Sequence, residues 1–502
     1  MSFDDALAMS SRPWRLCGEF HSARSVRVIP SRTVNDALRH RHLMVSGSID
    51  RAILHLGAPA AMAALLQAGF LVVDTFWLGR VGAVAIAAAS TAGFVMWLAQ
   101  TLGEGAANGS GAVLANAVGA DDEHGARRAA SAGQALAVWG AALVSTVGMA
   151  GANAVFVFMG TAGDVSEAGL RYLWVILLGM PAYFIVTWLS AAFRATGDAT
   201  TPLRLLAIAA AVNLLVDPVL IFGLGPVPAF GVAGAALATV AAWLISAARG
   251  WVLLGRMGLR PAALDLLRPP GEEVRRALRV GIPLGLEGAF FSVIYIFLTK
   301  VTTDFGTPAV AALGVGHKLE LLNYFVCAGM GAAATTLVGQ NLGAGNAPRA
   351  ARATWRTLFL TCLPVGAVTL VLVSFPARAV AVFNTDPAVI EAGTTYVLLA
   401  GLSQLFMAFE VVCLSAFAGA QWTAAPVAVE MGFTAARVPI AMVLVSLGLD
   451  VEAVWIAIAA TTVIKGVTLG VMFLARHGRG RRARPSSSEI AYNAPASTEV
   501  PP

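Results

Sequence analysis

Twelve stretches of this chain stay apolar for longer than the helices of a water-soluble core require. They fall at approximately 52–78, 84–110, 128–158, 168–192, 203–223, 231–255, 277–301, 308–333, 354–374, 392–418, 426–447 and 452–475. A helix needs about 20 residues to cross ~30 Å of hydrocarbon, and each run supplies them. The runs are too long, and lack the alternation, for the strands of a membrane barrel. Composition closes the soluble alternative. Of 502 residues, 58% are hydrophobic and 12% charged, against ~25% charged in an ordinary soluble domain. Too little polar surface remains to clothe several cores in water. Cys17, Cys327, Cys362 and Cys413 are too sparse for a disulfide scaffold. The chain reads as an all-α polytopic membrane protein with twelve transmembrane helices.

The arginines orient those helices. A formal charge of +6 would suit nucleic acid only if the arginines formed one stripe, and they do not. Arg127 and Arg128 follow the second span, Arg194 and Arg204 flank the loop after the fourth, and Arg349 and Arg352 follow the eighth. Arg256, Arg260, Arg268, Arg275 and Arg276 follow the sixth, and Arg476, Arg479, Arg481, Arg482 and Arg484 the twelfth. The intervening loops carry little beyond Arg80 and Arg378. By the positive-inside rule both termini are expected in the cytoplasm, in a multi-pass protein of the cell inner (plasma) membrane.

Residues 1–48 hold Arg12, Arg15, Arg24, Arg27, Arg32, Arg39 and Arg41 without a useful apolar stretch. Asp4, Asp5, Glu19 and Asp36 count against a transit peptide, which is poor in acids. The expectation is a disordered basic tail or an over-extended start, with Met44 as the initiator and residues 1–43 dispensable. Residues 476–502 are basic, then Ser/Pro-rich, and read as a second disordered tail.

An internal repeat divides the spans. Shifting the sequence by 224 lays Leu54, Gly57 and Pro59 on Leu278, Gly281 and Pro283. Arg128 then meets Arg352, Tyr172 meets Tyr396, and Phe193 and Pro202 meet Phe417 and Pro426. Each half holds six helices, so an N-terminal lobe (49–260) and a C-terminal lobe (261–475) enter from the same side as a parallel repeat. Two lobes around a shared cavity suit alternating access.

Ionisable residues inside spans each cost about 2.5–3.5 kcal/mol on insertion scales, which makes them functional candidates. Asp74 lies roughly 35 Å along the first span and Asp217 roughly 22 Å along the fifth, at ~1.5 Å per residue. Both sit in the outer half of the N-terminal lobe. Gln67 is two turns below Asp74, and Asn213 one turn below Asp217 on its face. Tyr172 opens the fourth span at a similar level. Burial and a neighbouring carboxylate both favour the protonated form, so such a pair can take up and release a proton. The bland alternative leaves Asp74 at the outer interface and lets Asp217 cap a backbone group before Pro218. The second lobe pairs Asp74 with Leu298 and Asp217 with Ala441. Its own charges, Glu287, Lys300, Lys318, Glu320, Glu410, Arg437 and Lys465, have mixed signs and read chiefly as ion pairs; Glu287, Glu320 and Glu410 are weaker site candidates. Lys300 and Lys465 are expected to snorkel from helix ends. Glu104 and Asn108 share a face of the second span. The run Asp121, Asp122, Glu123 and His124 lacks metal-ligand spacing, and no catalytic or phosphate-loop motif occurs. The expectation is no enzyme, no metal and no cofactor.

Several segments resemble the multidrug and toxic compound extrusion (MATE) family: VVDTFWLGRVGAVAIAA (72–88), FRATGDATTP (193–202), NLLVDPVLIFG (213–223), GVAGAALAT (231–239) and LGVGHKLELLNYFVCAGMGAAATTLVGQNLGAGN (313–346). The resemblance covers about residues 50–475. It fits the DinF-like branch, in which an Asp of helix 1 and an Asn-Asp pair of helix 5 form the cation site. Asp74, Asn213 and Asp217 match that pattern, and Gln67 and Tyr172 match its supporting residues. The NorM branch expects an acid where Phe291 stands, with Glu287 one turn earlier. The resemblance implies antiport, with entry of H⁺ or Na⁺ driving efflux of an amphipathic, often cationic, compound; the expected partners are that substrate and membrane lipid, and the expected state is a monomer. The alternatives are a lipid-linked saccharide flippase of the same superfamily, which a basic cavity would favour, and a membrane-embedded enzyme.

Overall fold

The structure, a computed structural model, describes residues 40–159, 163–261, 265–266 and 268–478. Among these residues twelve helices are long and apolar enough to cross a membrane. They are α1 (Ile49–Val81), α2 (Ala83–Gly119), α3 (Glu123–Phe158), α4 (Asp164–Ala195), α5 (Thr200–Phe222), α6 (Val232–Arg256), α7 (Gly271–Thr303), α8 (Thr307–Gly343), α9 (Ala347–Ser374), α10 (Pro387–Gly419), α11 (Ala424–Ser446) and α12 (Glu452–Gly478). A six-residue helix, Pro376–Ala381, sits between α9 and α10. Several helices overrun their apolar stretches. α2 continues past residue 110 to Gly119, and α8 past 333 to Gly343, because turns beyond the hydrocarbon satisfy their own backbone without apolar side chains.

The punctuation between helices repeats with the 224-residue period. Asp122 caps α3 by accepting from the Gly125 N–H at 2.8 Å, and Asn346 caps α9 by accepting from the Arg349 N–H at 3.1 Å. Gly82 (φ 138°) and Gly306 (φ 89°) turn the chain out of α1 and α7 through backbone angles that cost glycine little. Within the first lobe α4 packs on α2, α3 and α6; within the second, α10 packs on α8, α9 and α12.

The lobes meet along two seams, α2 on α7 and α1 on α8. Gly105 and Gly109 of α2 lie so close to α7 that a β-carbon on Gly109 would stand 2.2 Å from the Ala277 carbonyl oxygen. On the other seam Gly57 faces Met330, and Gly329 faces the backbone of Ala61. Small residues one turn apart are what closely approaching membrane helices use. The 224 shift carries Gly57 to Gly281 and Gly105 to Gly329, so each seam is the image of the other. Further along, Gly119 packs on Gln340 and Gly343 on Asn116, positions the same shift exchanges. These contacts fall in the helix halves next to the arginine-rich loops.

The inner end of the N-terminal tail is a correction. Residues 40–45 are helical and Met44 is fully buried. The Met44 carbonyl accepts from Asn341 at 3.2 Å and from Arg349 at 3.3 Å, while Arg41 donates to the Val118 and Gly119 carbonyls at 3.1 and 3.0 Å. Free carbonyls at helix C-termini attract such donors, a contact that hydropathy does not register. The remainder of that tail, and residues 479–502, lie outside the described residues; residues 476–478 complete α12.

Candidate functional site

α1 carries Asp74, α5 carries Asn213 and Asp217, and the two helices pack together with α6 beside α5. Asp217 and Asn213 are buried, and Asp74 keeps 8% of its surface. The Asn213 amide donates to Asp217 Oδ1 at 3.1 Å and to Thr239 Oγ1 of α6 at 3.4 Å. The Asp74 carboxyl lies beside Asp217, Asn213 and Thr239, close enough to interact with each. Asp74 Oδ1, Asp217 Oδ2 and Asn213 Oδ1 are nevertheless buried without a donor. Three enclosed oxygen acceptors, two of them on carboxylates, are the complement of a proton or a small hard cation.

Surroundings sharpen this pocket. Tyr172 is buried within electrostatic reach of both acids. Trp77 packs edge-on against Phe222 at 6.1 Å, roughly one turn beyond each acid. Pro218 inside α5 removes the N–H that would bond the carbonyl one turn back. Gln67 is exposed on α1, and among the described residues no hydrogen bond joins it to the pair. Thr239 is a site residue that sequence reasoning misses; its one signal is a hydroxyl in the GVAGAALAT segment, which reads as small-residue packing.

The equivalent place in the second lobe is built differently. The 224 shift carries Asn213 to Arg437 and Tyr172 to Tyr396. The buried Arg437 guanidinium donates to Thr461, Thr462 and Tyr295, each at 3.0 Å. Tyr396 donates to Glu320 at 2.9 Å, and Gln404 donates to the other Glu320 oxygen at 3.0 Å. A fixed guanidinium thus stands where the first lobe has an amide.

Lys465 corrects the snorkelling expectation. It is 1% exposed, and its ammonium donates to Glu410 at 2.8 Å, to Thr434 at 3.4 Å and, closest, to Glu430. Two carboxylates hold it in the protein more strongly than its four-carbon stem can deliver it to water. Lys300 is exposed. Between the lobes, Tyr324 is 46% exposed, yet the charges of Glu104 on α2, Glu287 on α7 and Glu410 on α10 all reach it. Tyr324 therefore stands in a cleft with acidic walls from both lobes. Glu104 is held there by the Tyr183 hydroxyl at 3.2 Å.

Comparison with known proteins follows the same geometry. The MatE family profile matches residues 59–219 and 283–443, two stretches displaced by the 224-residue repeat at both ends. The chain belongs to the MatE family. MatE relatives include a protein of Deinococcus radiodurans named "Probable multidrug resistance protein NorM", 31% identical over 86% of this chain and 97% of the relative. One of Thermotoga maritima with the same name is 27% identical over 85% and 92%. A third, from Shewanella oneidensis, is named "FAD transporter" and is 27% identical over 72% and 80%. Among solved structures, an outward-facing multidrug resistance MATE transporter aligns with TM-score 0.83 at 21% identity, over 89% of this chain and 99% of that one. A transporter of Pyrococcus furiosus, whose binding pocket is described as of reverse polarity, aligns equally well. Members of the family are transporters, so this is a multi-pass membrane transporter and not an enzyme, with the two-lobe MATE fold.

Proposed function

We propose that this MatE-family chain is a secondary active exporter of amphipathic, commonly cationic, small molecules. In this proposal H⁺ or Na⁺ bound by Asp74, Asp217 and Asn213 drives the cycle. The observation that carries the reading is the buried carboxyl pair with three donor-less oxygens. A cation bound there neutralises charge that burial makes costly, and α5 can bend at Pro218 in response. The multidrug-resistance names of the relatives support the substrate class. We read the chain as DinF-like because Asp74, Asn213 and Asp217 stand together in the N-terminal lobe, although the relatives carry NorM names.

In this reading, which the arginine-rich loops support, both termini lie in the cytoplasm and the protein sits in the cell inner membrane with lipid around it. The lobes pack closely at that arginine-rich end, which we read as the closed side of an outward-open cleft. One monomer contains both lobes and the whole site. Glu104, Glu287 and Glu410 give the cleft an acidic character that attracts organic cations and repels the phosphates of a lipid-linked saccharide.

The test is dye efflux, read as dye uptake into inverted vesicles, under an imposed pH gradient and, separately, an imposed Na⁺ gradient. One gradient should drive efflux by the parent, and Asp74→Asn should abolish it. Efflux near the parental rate in Asp74→Asn would move the coupling site elsewhere.

A further inference from the structure

The second lobe contains its own carboxyl pair, away from the image of the first. Glu410 of α10 and Glu430 of α11 share the Lys465 ammonium, and the Glu430 carboxyl also lies within hydrogen-bonding reach of Glu410. Glu430 is 2% exposed. Each acid gives one oxygen to Lys465; the others, Glu410 Oε2 and Glu430 Oε2, are buried without a donor. This is the pattern of Asp74 and Asp217, produced by residues whose repeat partners are Val186 and Leu206. It also lies at another depth. Glu430 is about 9 Å from the arginine-rich end of α11 and Glu410 about 14 Å from that end of α10, whereas Asp217 is about 26 Å along α5.

Charge decides what such a pair takes. Two carboxylates and one ammonium leave one negative charge uncompensated. Glu287 of α7 adds to it, since its charge reaches Glu410, Glu430 and Lys465. Arg437 carries a positive charge that also reaches Glu410 and Glu430, but its hydrogen bonds go to Thr461, Thr462 and Tyr295 and not to either acid. Tyr295, Tyr324 and Cys327 lie within reach of the Glu410 charge as well. A metal cation would sit against the ammonium that already touches both acids and be repelled by it. A proton needs only the space between two oxygens.

We propose that Glu410 and Glu430 form a second proton-binding site, in the C-terminal lobe, with Lys465 as its fixed counter-charge. The proton arrives from cleft water by way of Glu410, whose side chain is 15% exposed. It forms an O–H bond on one carboxylate, is shared as a hydrogen bond with the other, and leaves to water by the reverse route. That this site contributes a second coupling charge rests on the antiport reading; its existence does not.

Infrared spectroscopy of the full purified chain, labelled with carboxyl-¹³C glutamate, tests it. At neutral pH exposed glutamates are ionised, so a protonated-carboxyl band that moves with the label reports a buried glutamic acid. The band should be lost in Glu410→Gln and in Glu430→Gln and kept in Glu104→Gln and Glu287→Gln. It should also persist in Asp74→Asn/Asp217→Asn, which silences the first lobe. Absence of the band from the labelled parent, which needs no variant, overturns the proposal. So does its survival in both Glu410→Gln and Glu430→Gln, or its removal by Na⁺ at constant pH. Dye efflux that persists in Asp74→Asn overturns the N-lobe coupling reading alone and leaves the band where it was.

Discussion

At Asp74 and Asp217 two acids act on one ion, and that sets the mutational signature. Asp74→Asn and Asp217→Asn should each reduce gradient-driven efflux at least tenfold, because an amide keeps the size but cannot change charge. The double variant should be little worse than either single, since residues acting as a unit are not additive. Transport assays in reconstituted vesicles decide this, and an additive double defect would argue for two separate roles. Asp198 makes a different kind of contribution. Burial works to push its carboxyl up, but the N–H and hydroxyl groups of Thr200 and Thr201 outweigh this and hold it below the usual range. Its stabilising effect at the start of α5 is therefore present above the unfolded-state value and lost as pH falls through the folded one. Asp198→Ala should cost about 1 kcal/mol at neutral pH and flatten the acid side of a melting-temperature profile. The two N-lobe acids were legible because a charge in an apolar run stands out. Glu430 was not, since it lies close enough to the start of its span to pass for a terminal residue. Lys465 was misjudged because its two partners come from helices far away in sequence.

Helix number and order follow from apolar length, and lobe membership from the 224-residue repeat, so they could be read from the sequence. Helix ends could not, because hydrogen-bonded turns continue where apolar character stops. The segment before α1 has the same origin. Its contacts are a charged side chain on helix-end carbonyls and one carbonyl on Asn341 and Arg349, and no periodicity announces them. Since Met44 engages the second lobe and Arg41 the first, residues 40–48 tie the lobes together at the arginine-rich end. Arg41→Ala, which removes two charge-assisted bonds from a side chain 28% exposed, should lower stability by about 1 kcal/mol. Thermal unfolding in detergent reads this. An unchanged midpoint would restore the view that everything before Met44 is dispensable.

Across the whole molecule, the two seams hold the lobes in one of the arrangements that alternating access requires. Gly109→Leu places a branched side chain where only a hydrogen fits against Ala277, and should force the arginine-rich ends apart. Spin labels on the ends of α2 and α8 should report longer distances in the variant than in the parent. Unchanged distances would mean that the seam is not the gate.

The same smooth seams bear on how fast the lobes can part. Backbone lies against backbone at Gly105, Gly109, Gly281 and Gly329, so at these four positions no side chain has to leave one rotamer well and find another when the interface opens. The barrier then comes mainly from water and lipid entering a narrow gap, and little of it from repacking. Such a step has a small activation enthalpy, and turnover limited by it would rise only shallowly with temperature. A bulky residue on either seam would steepen that slope even where it left the end states equally populated.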